Sequence, residues 1–252
     1  MSNPAQQIAH WLAESRQAVA FTGAGISTES GIPDFRSPGG IWSKTQPVYF
    51  DDFMRSAEAR LQYWRQKAAS HGDFADAQPN VAHSTLADWE NQGRLHGVIT
   101  QNIDGLHQVA GSQRVLELHG TARSASCLDC GESHDVDALV EQFRQTEVVP
   151  ECQACGGRVK SDTISFGQPM PAEVMEESSR WCRDADFMLV CGSSLVVYPA
   201  AGLPLEAKES GCKLIIINRD PTPLDEAADL VVHDGIGKTI TAVVEALDAM
   251  SP

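Results

Sequence analysis

The chain has 252 residues, with 19 Lys and Arg against 34 Asp and Glu, a formal charge of −15, and 42% apolar residues. That is the composition of a globular chain with a sizeable core; the acidic excess argues against phosphate-backbone binding, which needs clustered Lys and Arg, and favours basic partners such as lysine-rich peptides. No apolar run of about 18 residues occurs, so no membrane-spanning helix is expected, and Met1 to Gln7 has neither the basic nor the apolar stretch of a secretory leader, so a cytoplasmic location is expected.

In chain order, residues 5–16 place Ile8, Trp11 and Leu12 on one helical face. The apolar run Ala18-Val19-Ala20-Phe21 follows and ends in Thr22-Gly23-Ala24-Gly25. Residues 38–92 show no strand pattern and read as a helical module, with Leu61 and Trp64 on the apolar stripe of a helix over 53–69. Short runs rich in Val, Ile and Leu return at 98–100 and 115–118, and again at 187–190, 214–217 and 230–232. Helical stretches at 199–210 and 239–250 alternate with the later runs. Near-continuous apolar strands separated by helices predict a doubly wound α/β fold with a parallel sheet buried on both faces. Residues 123–160 break the alternation, with four cysteines and few large apolar groups.

Those four form two C-x-x-C pairs, Cys127/Cys130 and Cys152/Cys155, with 21 residues between them. Each pair offers two thiolates, and four complete a tetrahedral zinc shell with no open position, so the metal is expected to be structural. A redox C-x-x-C would come singly beside a βαβ unit; these sit in a polar insertion, each followed by glycines (Gly131, Gly156, Gly157) that suit tight knuckle turns. Cys182, Cys191 and Cys212 lie in or near apolar segments and read as small buried hydrophobes.

The strands end in small, polar or ionisable residues, where an open α/β sheet binds its ligand. Gly23 and Gly25 permit a tight turn and a close approach to a pyrophosphate. The third glycine of the dinucleotide fingerprint is absent, Thr28 standing there, and so is the acidic ribose-binding residue. On its own a G-x-G is a weak signal and by default a plain tight turn.

Gly23-Ala24-Gly25-Ile26-Ser27, with Gly31-Ile32-Pro33-Asp34-Phe35-Arg36 after it, resembles the sirtuins, NAD-dependent protein deacylases. So do Thr100-Gln101-Asn102-Ile103-Asp104-Gly105-Leu106-His107, Leu118-His119-Gly120, the C-x-x-C pairs, Phe166-Gly167, Gly192-Ser193-Ser194-Leu195 and Asn218-Arg219-Asp220-Pro221-Thr222-Pro223. The blocks keep the family order over about residues 18–240. The resemblance implies a Rossmann-like NAD-binding domain from 1–37, 93–122 and 161–252. It also implies a smaller inserted part, made of a helical module at 38–92 and a zinc-binding module at 123–160. It implies NAD as co-substrate and structural zinc. Gly23, Ala24, Gly25, Thr28 and Arg36 would lie against NAD, Phe35, Ile103 and Asp104 would frame the nicotinamide, and Gln101 and Asn102 would meet its ribose. Gly192, Ser193, Ser194 and Asn218 would hold the adenosine end, with Ile236 near the adenine. His119 would be the general base, with Asn102 beside it in the catalytic set. Phe166, Gly167 and Val197 would border the acyl-lysine protein or peptide.

The chemistry suits these residue types. Cleaving the nicotinamide–ribose bond leaves a cationic carbon that a weak acyl oxygen attacks only when held close. An apolar wall such as Phe35 excludes water there. An imidazole near neutrality, His119, suits activation of a ribose hydroxyl. The other seven histidines read as packing or surface groups; for His107 packing or capping is preferred. Tyr63-Trp64-Arg65-Gln66 lacks the Tyr-x-x-Arg pattern of sirtuins that favour acidic acyl groups, so uncharged acyl groups are expected, and Gln168 stands where a carboxylate is commoner. A protein mono-ADP-ribosyltransferase and a non-catalytic NAD or ADP-ribose sensor remain alternatives, the sensor disfavoured because His119, Asn102 and Asp104 are all present.

Overall fold

The computed structural model describes residues 3–35, 40–41 and 45–250. Helix α1 (Pro4–Glu14) opens the chain. Asn3 caps it by accepting the amide of Ala5, Pro4 occupies its first turn, and Ala5, Ile8, Ala9 and Leu12 form its buried stripe. Strand β1 (Ala18–Thr22) follows, then a 3-10 helix over Ala24–Ser30. Next come α2 (Phe50–Arg55), α3 (Ala57–Ala75), α4 (Val81–Asn91) and β2 (Gly97–Thr100). The middle of the chain forms α5 (Leu106–Ala110), β3 (Val115–Glu117), β4 (Gly120–Cys127), β5 (Ser133–His134), α6 (Val136–Thr146) and β6 (Val159–Thr163). The order closes with α7 (Ala172–Asp184), β7 (Phe187–Cys191), α8 (Leu203–Glu209), β8 (Lys213–Ile217), β9 (Leu230–Val232) and α9 (Ile236–Met250).

Six strands make one parallel sheet in the order β3-β2-β1-β7-β8-β9. Numbered within the sheet, that is 3-2-1-4-5-6, the Rossmann order, whose direction reverses between β1 and β7. The alternation of β1 divides its side chains between two cores. Ala18 and Ala20 face Ile8 and Leu12 of α1, Leu86 and Trp89 of α4, and Ile240 and Val243 of α9. Val19 and Phe21 face Trp181 and Cys182 of α7 and Leu203 and Ala207 of α8. Each large side chain taken fully from water in this way stabilises the fold by about 1.5–3 kcal/mol. This is the expected doubly wound sheet, and its strands are the apolar runs of the sequence.

The second sheet, β5-β4-β6, is antiparallel. Its strands are polar and short-sided, as in Gly-Thr-Ala-Arg-Ser-Ala-Ser-Cys of β4, so no apolar run announces them. Within 38–92, α3 packs on this sheet, with Trp64 and Ala68 clustering with Ala125, Val140, Phe143 and Val159, whereas α4 packs on the parallel sheet. The helix expected over 53–69 is two helices. The chain turns extended at Ser56 (φ −118°, ψ 126°), which ends α2 and caps α3 by accepting the amide of Ala59. A serine that serves as a cap leaves the apolar periodicity intact, so the break carries no Gly or Pro signal. Phe53 and Trp64 are fully buried, core as expected.

Gly97 opens β2 where a Cβ would come within 2.7 Å of the Arg114 carbonyl and of the Trp181 ring. Gly97→Ala is expected to cost about 1–3 kcal/mol by overpacking, read as a lower denaturant midpoint at unchanged slope.

Candidate active site

A cleft of about 1140 Å³ runs from the carboxyl ends of β1, β2, β7 and β8 to the face of α3. It brings together most residues singled out in the sequence: Gly23, Ala24, Gly25, Thr28, Phe35, Gln101, Asn102, Ile103, His119, Phe166, Gly167, Gly192, Ser193, Ser194, Val197, Asn218 and Ile236 all line it. Arg36 lies outside the described residues. Asp104 is 3% exposed and sits behind the wall, its carboxylate accepting from Ser27 Oγ (2.7 Å) and the Leu106 amide (2.9 Å).

The glycine turn is built against the second loop of the sheet reversal. Gly25 donates its amide to the Gly192 carbonyl at 2.8 Å, and Gly23 donates to the Cys191 carbonyl at 3.1 Å. A Cβ on Gly25 would stand 2.7 Å from Gly192 Cα, and one on Gly192, at φ +67°, 2.3 Å from the Ile26 amide. These glycines are therefore demanded by the contact between two backbone loops, in addition to any ligand approach.

Gln101 bridges the strand ends by donating to Ser193 Oγ at 2.7 Å, while its backbone carbonyl meets His119 Nδ1 at 2.9 Å. A carbonyl only accepts, so Nδ1 carries the proton and the basic lone pair of His119 is on Nε2. His119 stands just past β3, whose pairing to β2 is continued by the Leu118 amide bonding the Thr100 carbonyl.

Asn102 is held by two chains of buried hydrogen bonds. Its Nδ2 donates to Ser27 Oγ at 3.1 Å, and Ser27 is also contacted by His83 Nε2 at 3.4 Å. The Asn80 amide donates to His83 Nδ1, which puts the His83 proton on Nε2. The Asn102 amide donates to Thr100 Oγ1, which accepts from Thr22 Oγ1, which is in turn 2.9 Å from His107 Nε2. The two imidazoles pack with centroids 4.9 Å apart. Burial pulls His83 down to about 4 and His107 to about 3, so both are neutral. His107 packs, as expected; the part His83 plays was not legible, since its partners come from three separate segments.

The four cysteines form one cluster, and none of them lines the cleft. Cys127 Sγ is 3.6 Å from Cys155 Sγ and Cys130 Sγ 3.7 Å from Cys152 Sγ, with all four within 4.8 Å. A disulfide needs about 2.05 Å; four sulfurs at about 2.3 Å from a tetrahedral zinc stand about 3.8 Å apart. Donor set and spacing fit zinc. Each knuckle closes by an amide four residues on, Gly131 donating to the Cys127 carbonyl and Gly156 to the Cys152 carbonyl, and a Cβ on Gly157 would press within 2.8 Å of Cys127 Sγ. Arg158 ties the second knuckle to Asp129 of the first.

A family model described as the Sir2 family matches residues 23–199. The chain is 48% identical to an NAD-dependent protein deacetylase of Rhodopseudomonas palustris, over 95% of this chain and 96% of that one. It is 43% identical to NAD-dependent protein deacylase 2 of Archaeoglobus fulgidus, over 97% and 96%. A solved Sir2 structure with a p53 peptide and NAD+ superposes with a TM-score of 0.88 at 38% identity, covering 97% of this chain and 98% of that one.

Two outcomes follow from the buried groups. His83 and His107 stay neutral in the fold down to about 4 and about 3, but protonate in the unfolded chain below about 6.5. The unfolded state therefore binds more protons across that window, and stability present above it is lost as the pH falls. Urea denaturation should show about 1.4 kcal/mol lost per histidine between about pH 7.5 and 5.5, and His107→Gln should flatten that slope. Zinc removal by a chelator, or Cys152→Ser, should lower the melting temperature sharply and abolish one bound zinc per chain in metal analysis; a metal-free sample melting unchanged contradicts the assignment.

Proposed function

The chain belongs to the Sir2 family, and on that premise we propose that it is an NAD-dependent protein-lysine deacylase acting through His119. Bound NAD would supply the electrophilic ribose carbon that accepts the acyl oxygen, giving nicotinamide and an O-acyl-ADP-ribose. The observation that carries the reading is the fixed tautomer of His119: with Nδ1 donating to the Gln101 carbonyl, Nε2 is the atom that takes a proton from a ribose hydroxyl.

The other residues bind and orient. Gly23, Ala24, Gly25 and Thr28 would border the pyrophosphate, and Gly192, Ser193, Ser194 and Asn218 would hold the adenosine end with Ile236. Phe35 and Ile103 would wall the nicotinamide side and keep water out. Gln101 and Asn102 would meet the nicotinamide ribose. Asp104 would act behind the wall, since its carboxylate is spent on Ser27, which in turn orients Asn102. Arg36 keeps its proposed place against NAD on the sequence pattern alone. Phe166, Gly167 and Val197 would border the modified lysine, and the net charge of −15 favours lysine-rich protein partners over nucleic acid or anionic membrane. We place the protein in the cytoplasm. Seven cysteines without a disulfide, four of them a metal-ready thiol cluster, suit a reducing compartment, and no helix among the described residues is long and apolar enough to cross a membrane.

Mass spectrometry of an acetyl-lysine peptide incubated with NAD and the protein should show free lysine, nicotinamide and O-acetyl-ADP-ribose. Label retained on protein would instead indicate ADP-ribosyl transfer, and no consumption of NAD a sensor. His119→Ala should lower turnover by about 10²–10⁴-fold with NAD affinity changed only a few-fold; undiminished turnover removes His119 from the mechanism.

A further inference from the structure

The loop that leaves β2 carries Gln101, Asn102 and Ile103 into the cleft. Between Thr100, the end of β2, and Leu106, the start of α5, it forms no helix or strand. Its shape is therefore set by the groups that bind its backbone. The first half is held from the parallel sheet, the Gln101 amide donating to the Thr22 carbonyl at 2.9 Å and the Asn102 amide to Thr100 Oγ1 at 3.0 Å. The second half is held from the opposite side, by β4. The Ala122 amide donates to the Ile103 carbonyl at 2.8 Å, and Arg123 Nε donates to the Asp104 carbonyl at 2.7 Å.

Arg123 belongs to none of the motif blocks of the sequence, and it does not line the cleft. Its place is nevertheless built. The β4–β6 register slips between Gly120 and Ala125, and Arg123 stands inside that irregularity, the kind of strand defect that re-aims a side chain beside a site. Its stem lies over Gly105, where a Cβ would stand 3.1 Å from Arg123 Cγ and 3.2 Å from Nε. Gly105, at φ +71°, reverses the chain with a bare Cα and gives the arginine its path. Both carboxylate oxygens of Asp104 are already engaged, one by Ser27 Oγ and one by the Leu106 amide. With Arg123 on the carbonyl, every acceptor of Asp104 is fixed. A bond from a charged donor is about twice as strong as one between neutral groups, so this is the firmest grip that β4 has on the loop.

We propose that Arg123 is a positioning residue for cleavage of the nicotinamide–ribose bond: through the Asp104 carbonyl it fixes the peptide that presents Ile103 to the nicotinamide side of the cleft. It acts through the loop and not on the reacting atoms. The inference rests on the deacylase reading above, and it adds a residue of β4, the strand that runs into the cysteine cluster, to those that set the geometry of the first chemical step.

The test uses the full-length protein, NAD, an acetyl-lysine peptide and isotope-labelled nicotinamide. Nicotinamide is a product of the proposed reaction, so label enters NAD whenever the cleaved bond re-forms, and the exchange rate reads that step alone. Arg123→Met keeps the stem and loses the donor. Arg123→Gln returns an N–H at the same number of bonds from Cβ without the charge. Arg123→Met should lower the maximal exchange rate about tenfold, as slight misplacement slows an oriented reaction, and should raise the nicotinamide concentration for half-maximal exchange. Peptide KM and melting temperature should stay near those of the wild type, and Arg123→Gln should recover most of the loss. An unchanged exchange rate in Arg123→Met overturns the proposal, and so does an equal loss in Arg123→Gln. A lowered melting temperature in Arg123→Met, with the constants for NAD, peptide and nicotinamide all worsened together, overturns it too, since that is what a merely structural bond would give. A wild type that neither exchanges label nor consumes NAD defeats the deacylase reading itself, whereas an active wild type with an indifferent Arg123→Met defeats this inference alone.

Discussion

Two backbone loops meet where the strand order of the parallel sheet reverses, between β1 and β7, and the contact leaves no room for a Cβ on Gly25 or Gly192. Gly25 and Gly192 touch through their backbones, and the amides of Gly23, Gly25 and Gly192 are spent on the carbonyls of Cys191, Gly192 and Ile217. Three strand ends are thereby stitched into one rim. The same stitching opens a cleft on the ligand side, because the side chains that would otherwise fill the reversal are absent. The proposed contacts Gly23, Ala24, Gly25, Gly192, Ser193, Ser194 and Asn218 stand on this rim.

Beneath the rim, charge and polarity are arranged so that the working groups have one orientation each. Asn102 is fixed through its amide by the Thr100–Thr22–His107 chain and through its side chain by Ser27, itself shared with Asp104 and His83. Two neutral imidazoles at the base of these chains avoid placing a cation under the cleft. A buried network of this kind is rigid only when its donors and acceptors are matched, and it turns costly when a member is protonated. His119, by contrast, is half-buried with Nδ1 tied to the Gln101 carbonyl, which leaves Nε2 as its basic nitrogen.

The far wall of the cleft comes from a layer that has little apolar material of its own. Trp64 and Phe143 join α3 and α6 over the antiparallel sheet, and the cysteine cluster closes the end of that sheet where hydrophobic burial is thin. A metal suits that place, since four thiolates around one ion supply in a few residues the cohesion that a small layer cannot draw from surface burial. The wall so formed presents Tyr63, Gln66, Lys67 and Ser70 of α3 to the cleft.

The sequence alone determined the parallel sheet, because strands buried on both faces must be continuous runs of Val, Ile and Leu, and it determined the zinc cluster, because C-x-x-C spacing is set by the bite of one ion. Its motif blocks also marked the residues at the strand ends that line the cleft, while those of α3 and β6 lay outside every block. Tertiary structure alone decided the rest. The strands β4 and β6 offer only scattered small or single apolar residues, Ala125, Cys127 and Val159, and these find their partners in Trp64 and Ala68 of α3. The break at Ser56 hides in an unbroken apolar stripe. Asp104 turned away from the cleft because Ser27, some 77 residues distant along the chain, claims its carboxylate. The burial of Lys67 against the Ala122 carbonyl is likewise settled by packing in three dimensions, which a linear pattern does not record.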